Sequence, residues 1–214
     1  MSEENEIIVN DEKKNNVKNI ILNNKKSFIS LLIIFLIFLF GYFFYIDYKR
    51  DIKFKISEQY NSAIFSFDKN NSNNTIEAMK NIISFKNPTY SPLALYFLLD
   101  NNLLKNKEEI NNYFDVLINE TKLDNELKNL IIYKKGLYNS DSASEEELLS
   151  ILKPLINKDN LWKSHSLYLI AEYFFSKNEK QKSKEFFEKI LVIENSNPSI
   201  KLEAQKRIEH DFSE

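Results

Sequence analysis

The chain consists of one long apolar segment near its N-terminus and a polar, helix-patterned remainder. The apolar segment runs from Phe28 to Ile46 without a charged residue. At about 1.5 Å of rise per residue, a helix of this length spans roughly the hydrocarbon core of a bilayer. A core helix of a soluble protein is rarely apolar on every face over such a length. The pattern therefore predicts a transmembrane helix over residues 28–46.

The residues at the end of the apolar run indicate that this segment is retained in the mature protein. A cleavable secretory signal has a shorter apolar core that is followed by small residues at the cleavage site. Here the run ends in aromatic residues, and Tyr45 and Tyr48 suit the interface between lipid and water. We predict a single anchor, preceded by a tail over residues 1–27 that is mostly disordered because it is polar and Asn-rich.

Basic residues on the two sides of the anchor almost balance. Five lysines precede the span and four basic residues follow it: Lys13, Lys14, Lys18, Lys25 and Lys26 before, and Lys49, Arg50, Lys53 and Lys55 after. Lys and Arg favour the cytoplasmic side of a span, and Lys25 and Lys26 adjoin this one directly. We therefore predict a cytoplasmic N-terminus and a periplasmic domain over residues 47–214. The opposite orientation, with the large domain in the cytosol, stays open.

After the anchor, the chain has the hydrophobic period of helices only. Two amphipathic stripes in residues 165–198 flank a short polar break: Leu167, Ile170, Ala171, Phe174 and Phe175, then Ser183, Phe186, Phe187, Ile190 and Leu191. Apolar residues that recur at intervals of three and four form one face of a helix. Residues 165–198 are therefore predicted to form an αα-hairpin.

Similar hairpins are predicted upstream, over 47–86, 91–119 and 124–157, and a closing helix is predicted from Pro198 to about Phe212. Each hairpin has an apolar face that it can bury only against the next hairpin. The predicted fold is all-α, a solenoid of helical hairpins that follows the transmembrane helix.

Local signals predict several helix boundaries. Asn74 and Ser91 are candidate N-caps, and Pro92 follows Ser91 at the first helical position. Ser144 is a third candidate, in a capping box that ends with a glutamate three residues later. Pro154 lies inside an apolar stripe and is expected to kink or end that helix.

Composition limits the chemistry that the chain can perform. A formal net charge of −2 gives no basis for a nucleic-acid partner, and the absence of cysteine excludes disulfides and thiolate metal sites. Two glycines are too few for a Gly-rich phosphate loop. The two histidines, His165 and His210, have no partner at metal-ligand spacing. We predict no cofactor, no metal site and no catalytic residues. An enzyme stays an alternative only if folding brings distant carboxylates into one cleft.

Residues 165–198 resemble a tetratricopeptide repeat. Asn178 stands at the turn glycine of the repeat, which suits asparagine because it tolerates left-handed backbone angles. Two residues depart from the pattern, since Asn195 stands where the repeat has proline and Ile190 is larger than the usual alanine. The matching positions are Leu167, Ile170-Ala171, Phe174, Asn178, Ser183 and Phe187.

The layout of residues 20–212 is similar to that of the ancillary SecYEG translocon subunit (YfgM-type) family. The likeness rests on three features: a short charged tail before one span, a helix that leads from the membrane directly into helical hairpins, and a series of mainly apolar residues before a closing amphipathic helix. This series consists of Leu161-Trp162, Leu169-Ile170-Ala171, Ser183, Phe186-Phe187 and Ile190. The resemblance implies a bacterial inner-membrane protein with a periplasmic tetratricopeptide-like domain. Such a protein sits beside the translocon, associates with a periplasmic chaperone or prolyl isomerase, and helps exported chains. The family brings no catalytic residues with it.

The repeat analogy also predicts a partner groove that includes Tyr168, Glu172 and Phe175, because a curved stack of helix pairs presents a concave surface to a helix or an extended peptide. In the alternative interpretation, Tyr168 and Phe175 simply pack against the neighbouring hairpin. Trp162 is predicted to be a core residue between the third and fourth hairpins, and His165 a residue of the helix surface.

A second function is compatible with the same fold and topology. A membrane-anchored repeat adaptor could coordinate envelope assembly or cell division without contact with the translocon. Both functions need one anchor and one docking surface, so the sequence does not separate them.

Overall fold

The computed structural model describes residues 25–69 and 71–212, and every regular element in these ranges is a helix. The all-α prediction is therefore confirmed. Of the tail predicted over residues 1–27, residues 1–24 lie outside the described ranges. Its last three residues are not disordered, because the first helix already begins at Lys25. The elements are α1 (Lys25–Phe65), α2 (Asn73–Ser84), α3 (Tyr90–Asp100), α4 (Lys107–Asp115), a π-helix (Val116–Glu120), α5 (Asn125–Asn139), α6 (Glu145–Ile156), α7 (Lys163–Ser176), α8 (Lys180–Leu191) and α9 (Pro198–Asp211).

The chain divides into two compact units, Met1–Lys55 and Ile56–Glu214. The described part of the first unit is the N-terminal portion of α1. This helix is long and apolar enough to cross a membrane, and the side chains from Ile29 to Ile46 are all exposed. A core helix of a soluble protein would bury such side chains, so their exposure favours a lipid environment.

Three adjoining apolar clusters form the core of the second unit. The first joins the end of α1, α2, α3, α4, the π-helix and the start of α5; the second joins α5, α6 and α7; the third joins α7, α8 and α9. Leu98 and Phe187 are fully buried, and burying a side chain of this size contributes about 1.5–3 kcal/mol. Ile118 borders the first and second clusters, and Ile156 and Phe186 border the second and third. The core is therefore continuous through the unit.

The predicted helix pairs are present in the second half of this unit. Helix α5 packs against α6, α7 packs against α8, and α9 closes against α8 and α7. In the first half, α2 packs most closely against α3, although the sequence assigned these helices to separate hairpins, 47–86 and 91–119. The connection between them is short, and Ser91 Oγ donates a hydrogen bond of 2.8 Å to the carbonyl of Ile82. A short loop makes consecutive helices neighbours, which explains the different pairing.

Three local predictions describe the helix ends correctly. Ser144 caps α6, and its side chain accepts a hydrogen bond of 3.2 Å from the backbone N–H of Glu147. Asn178 has a φ of 61° in the turn between α7 and α8, as the comparison with a turn glycine predicted. Helix α6 ends at Ile156, just beyond Pro154. Each of these signals acts within a few residues, and tertiary packing does not override it at these three positions.

Two predicted N-caps are wrong. Helix α2 begins at Asn73, so Asn74 lies inside the helix. Helix α3 begins at Tyr90 because the side-chain oxygen of Asn87 accepts hydrogen bonds of 2.9 and 3.0 Å from two successive backbone N–H groups, the second of them that of Tyr90. Asn87 thus supplies the cap that the sequence assigned to Ser91, which instead ties α3 to α2.

Candidate interaction surfaces

The three predicted groove residues lie on one face of α7, because Tyr168, Glu172 and Phe175 follow at intervals of four and three residues. All three are partly buried. Helix α9 contacts this face through Arg207, whose Nε and Nη2 donate hydrogen bonds of 2.9 and 3.0 Å to the two carboxylate oxygens of Glu172. The guanidinium carbon of Arg207 also lies 4.3 Å from the ring centroid of Phe175. The structure therefore brings the three residues together and places the closing helix against them.

Aromatic rings surround this ion pair. The ring of Phe175 meets that of Phe212 edge to face at 5.8 Å between centroids, and the ring of Tyr168 meets that of Phe187 at 5.3 Å. Edge-to-face pairs of this kind contribute about 0.5–1.5 kcal/mol beyond the area that they bury. The packing interpretation of Tyr168 and Phe175 thus describes their surroundings, whereas their role in binding a partner stays a prediction.

The electrostatics of this face are balanced within the chain. Arg207 pairs with Glu172 and also with Asp211. Burial, followed by the neighbouring Glu172 carboxylate, raises the pKa of Tyr168 to about 12, so this phenol is neutral at physiological pH. The Arg207 and Glu172 side chains are 26% and 36% exposed, and solvent screening limits such a pair to roughly 0.5–1 kcal/mol. The face therefore offers packing rather than an uncompensated charge.

Trp162, Tyr133 and His165 form an aromatic cluster where α5 meets α7. The indole of Trp162 stacks on the ring of Tyr133 with 5.3 Å between centroids, and the His165 ring lies 5.2 Å from the indole. The predicted position of Trp162 between the third and fourth hairpins is confirmed, although its side chain is only partly buried. His165 is also partly buried rather than on the open surface, and its Nδ1 has no hydrogen-bond partner among the described residues. The prediction that His165 lies on the helix surface is therefore wrong, because the ring of Tyr133 packs against one side of the imidazole.

Two grooves in the second unit differ in chemistry. A cavity of about 710 Å³ between the end of α1 and α2 is lined mainly by amide, hydroxyl and small side chains, including Gln59, Ser62, Ser66, Asn74, Ala78 and Asn81. A groove of about 580 Å³ between α6 and α8 has an apolar floor of Leu149, Ile156 and Phe186, with Lys153 and Lys189 at its edge. The first offers hydrogen bonding and the second offers apolar burial, the two features by which protein surfaces hold a peptide or a helix.

Within residues 25–69 and 71–212, no group of three or more His, Asp or Glu side chains is arranged to hold a metal ion. Comparison of the chain with protein-family models, with curated proteins and with solved structures found no match. The resemblance to translocon subunits therefore rests on the sequence layout, and a functional assignment has to rest on the anchor and on the surfaces described above.

Proposed function

We propose that the protein is a membrane-tethered protein-interaction module, and specifically an accessory subunit of the Sec translocon that assists exported chains together with periplasmic chaperones. The observation that carries this proposal is the exposed apolar run of α1 in a chain whose second unit is a helical domain with two surface grooves. We propose that these grooves bind the polypeptide partners. A tether keeps such a docking surface at a high effective concentration beside its membrane partner.

The packing of the second half of this domain supports a tetratricopeptide-like arrangement. Helices α5 and α6 and helices α7 and α8 are consecutive packed pairs, and α9 follows as a closing helix. Ser183 is fully buried, which fits the small residue that such a repeat needs where its two helices approach closely. Phe187 is fully buried one turn later. Ser183 and Phe187 are two of the positions at which the sequence resembles a tetratricopeptide repeat.

We place the N-terminus in the cytoplasm and the helical domain in the periplasm of a bacterial inner membrane, since Lys25 and Lys26 adjoin the apolar run. Protease added outside spheroplasts tests this orientation. We expect digestion of the domain in intact spheroplasts. If the domain is cleaved only after the membrane is permeabilised, it faces the cytosol and the translocon proposal fails.

Photocrosslinking in native membranes tests the translocon partner. A photoreactive residue at Phe38 or Phe44 probes the apolar run, because these side chains are 73% and 78% exposed. Phe65, which is 94% exposed and lies outside the run, is the matched control position. We expect adducts to channel subunits from the two anchor positions and fewer from the control. Adducts to other envelope proteins, without the channel, would instead identify the adaptor of envelope assembly or division.

Co-purification from mild detergent tests the soluble partners. We expect a periplasmic chaperone or prolyl isomerase and exported chains to remain bound to the wild-type protein. Leu149→Lys in the groove between α6 and α8 adds a charge to its apolar floor and should weaken that association. Lys158→Gln, an exposed position outside this groove, should leave it unchanged.

A further inference from the structure

Three cations cluster in the charged segment that follows the apolar run of α1. Lys49 and Lys53 are four residues apart, and Arg50 lies three residues before Lys53, so these three cations share one face of the helix. Asp47 and Asp51, also four residues apart, lie beside this face, and Asp47 is three residues before Arg50. We call Lys49, Arg50 and Lys53 the basic face.

The basic face lies at the level of lipid headgroups when the apolar run occupies the hydrocarbon core. A bilayer of about 40–45 Å with a core of about 30 Å has headgroup layers of roughly 5–8 Å on each side. At about 1.5 Å of rise per residue, such a layer takes up the three to five residues after Ile46, which include Lys49 and Arg50. Lys53 begins just above this layer, and its flexible side chain can reach back into it.

The cations of this face are available to an anionic ligand. Arg50 pairs with Asp47 at 3.0 Å, but the two side chains are 74% and 61% exposed, and an ion pair so open to solvent contributes little. The Nζ atom of Lys49 lies 4.7 Å from the ring centroid of Tyr45, a contact that leaves its N–H groups free to donate. Lys53 is exposed and has no ion pair among the described residues. A phosphate group offers strong acceptors to these three donors.

We propose that the basic face binds the phosphate groups of anionic phospholipids, such as phosphatidylglycerol, in preference to zwitterionic phosphatidylcholine. The inference rests on the membrane tether of the proposed function. A phosphatidylcholine headgroup carries its own cation, so it gains less from three further positive charges, whereas an anionic headgroup gains from each of them. The protein thereby collects anionic lipid around one side of its anchor.

Energy transfer in vesicles that contain both lipids tests this binding. The chain has no cysteine, so Phe54→Cys, at an exposed position of α1, provides one labelling site beside the basic face. Transfer from this dye to headgroup-labelled phosphatidylglycerol is compared with transfer to headgroup-labelled phosphatidylcholine. The test variant is K49Q/R50Q/K53Q, and the matched control K105Q/K122Q/K158Q removes three exposed lysines of the second unit.

We expect phosphatidylglycerol to be enriched several-fold around the wild-type protein, with about fivefold per basic residue as the upper limit, and the enrichment to fall as salt is added. The test variant should show equal transfer to both lipids, while the control keeps the wild-type preference. Enrichment that survives in the test variant, or equal transfer to both lipids for the wild type, would overturn the inference.

Extraction with alkaline carbonate separates this inference from the proposed tether. If the wild-type protein resists extraction but shows no lipid preference, the tether stands and the lipid inference fails. If carbonate releases the wild-type protein from the membrane, the tether itself fails and the lipid inference fails with it. Retention in the membrane together with the expected preference supports both.

Discussion

Replacing Gly136 by alanine tests how closely α5 packs against α6. Gly136 is buried in α5, and a Cβ atom at this position would lie 2.5 Å from Cδ2 and 3.0 Å from Cγ of Leu152. Contacts this short do not persist in a close-packed core. Leu152 would have to move, yet it is itself fully buried in α6. The substitution therefore pushes one core side chain into its neighbours.

Two effects of opposite sign decide the result of this substitution. Alanine stabilises a helix interior by about 0.8–1.0 kcal/mol relative to glycine. Overpacking a filled core costs about 1–3 kcal/mol. Because the overlap reaches the branch atom of Leu152 as well as a terminal methyl group, rotation of the side chain end alone does not relieve it. We expect Gly136→Ala to lower the free energy of unfolding by about 1 kcal/mol, the difference between the two effects.

Urea unfolding of the full chain in detergent measures this difference. Trp162 is the sole tryptophan of the protein, and its stacking on Tyr133 makes its fluorescence a reporter of the second unit. With an m-value of about 2 kcal/mol/M, a loss of about 1 kcal/mol lowers the midpoint by about 0.5 M. Ser150→Ala, at an exposed position of α6, is the control, because it changes helix propensity without adding a core contact and should leave the midpoint equal or slightly higher.

A rise of the midpoint in Gly136→Ala by about 0.4–0.5 M, the amount that helix propensity alone supplies, would refute the contact with Leu152. A double-mutant cycle sharpens the test. Leu152→Val makes room for the added methyl group, so the two substitutions together should destabilise the domain by at least about 0.5 kcal/mol less than the sum of their separate effects.

Three further predictions concern α7 and its neighbours. Arg207→Lys should lower the free energy of unfolding by about 0.5–1 kcal/mol because lysine does not reproduce the bidentate contact with Glu172. Adding Glu172→Gln to this variant should lower it little further. If the losses of the two single variants, measured by urea unfolding, add in full, the two side chains do not interact. Alkaline titration followed by absorbance, compared between the wild type and Tyr168→Phe, should reveal a phenol that ionises near a pKa of about 12. The contribution of the neutral phenol to the free energy of unfolding is complete below pH 10 and falls as the pH rises towards 12. Ionisation at pH 10 would contradict the burial of Tyr168. Asn178→Ala should cost about 1 kcal/mol at its φ of 61°, whereas Asn178→Gly should be neutral or stabilising; equal costs for both would argue against a left-handed turn.

Some features that depend on a few consecutive residues were predicted from the sequence, although the N-caps proposed at Asn74 and Ser91 were wrong. The cap at Ser144 and the left-handed angle at Asn178 both follow from the local chemistry of one side chain. The all-α fold also follows, because hydrophobic period is a property of each segment by itself. The pairing of α2 with α3 was not predictable in the same way, since an apolar stripe shows that a helix has a buried face but not which neighbour covers it.

The surroundings of the predicted groove were harder to predict because they bring together distant parts of the chain. Arg207 and Glu172 are 35 positions apart, and each taken alone is typical of a solvated helix face. The same holds for His165, whose partial burial depends on Tyr133 from another helix. In the sequence, the only signal was the closing amphipathic helix itself, which had to cover the last hairpin and therefore the face of α7 that bears Glu172.

The contacts of α9 determine how a partner can use the face of α7. Ala204 of α9 is fully buried, and Ile200, Ile208 and Phe212 pack against the same cluster, so removal of α9 would expose apolar surface at about 25 cal/mol per Å². A partner that binds beneath α9 must offset that cost, whereas a partner that binds to the outer side of α9 does not. Arg207→Lys distinguishes the two modes. If binding requires release of α9, a loss of about 0.5–1 kcal/mol in its attachment should tighten partner binding about two- to fivefold; if the partner docks on an intact α9, the affinity should stay within error of the wild-type value.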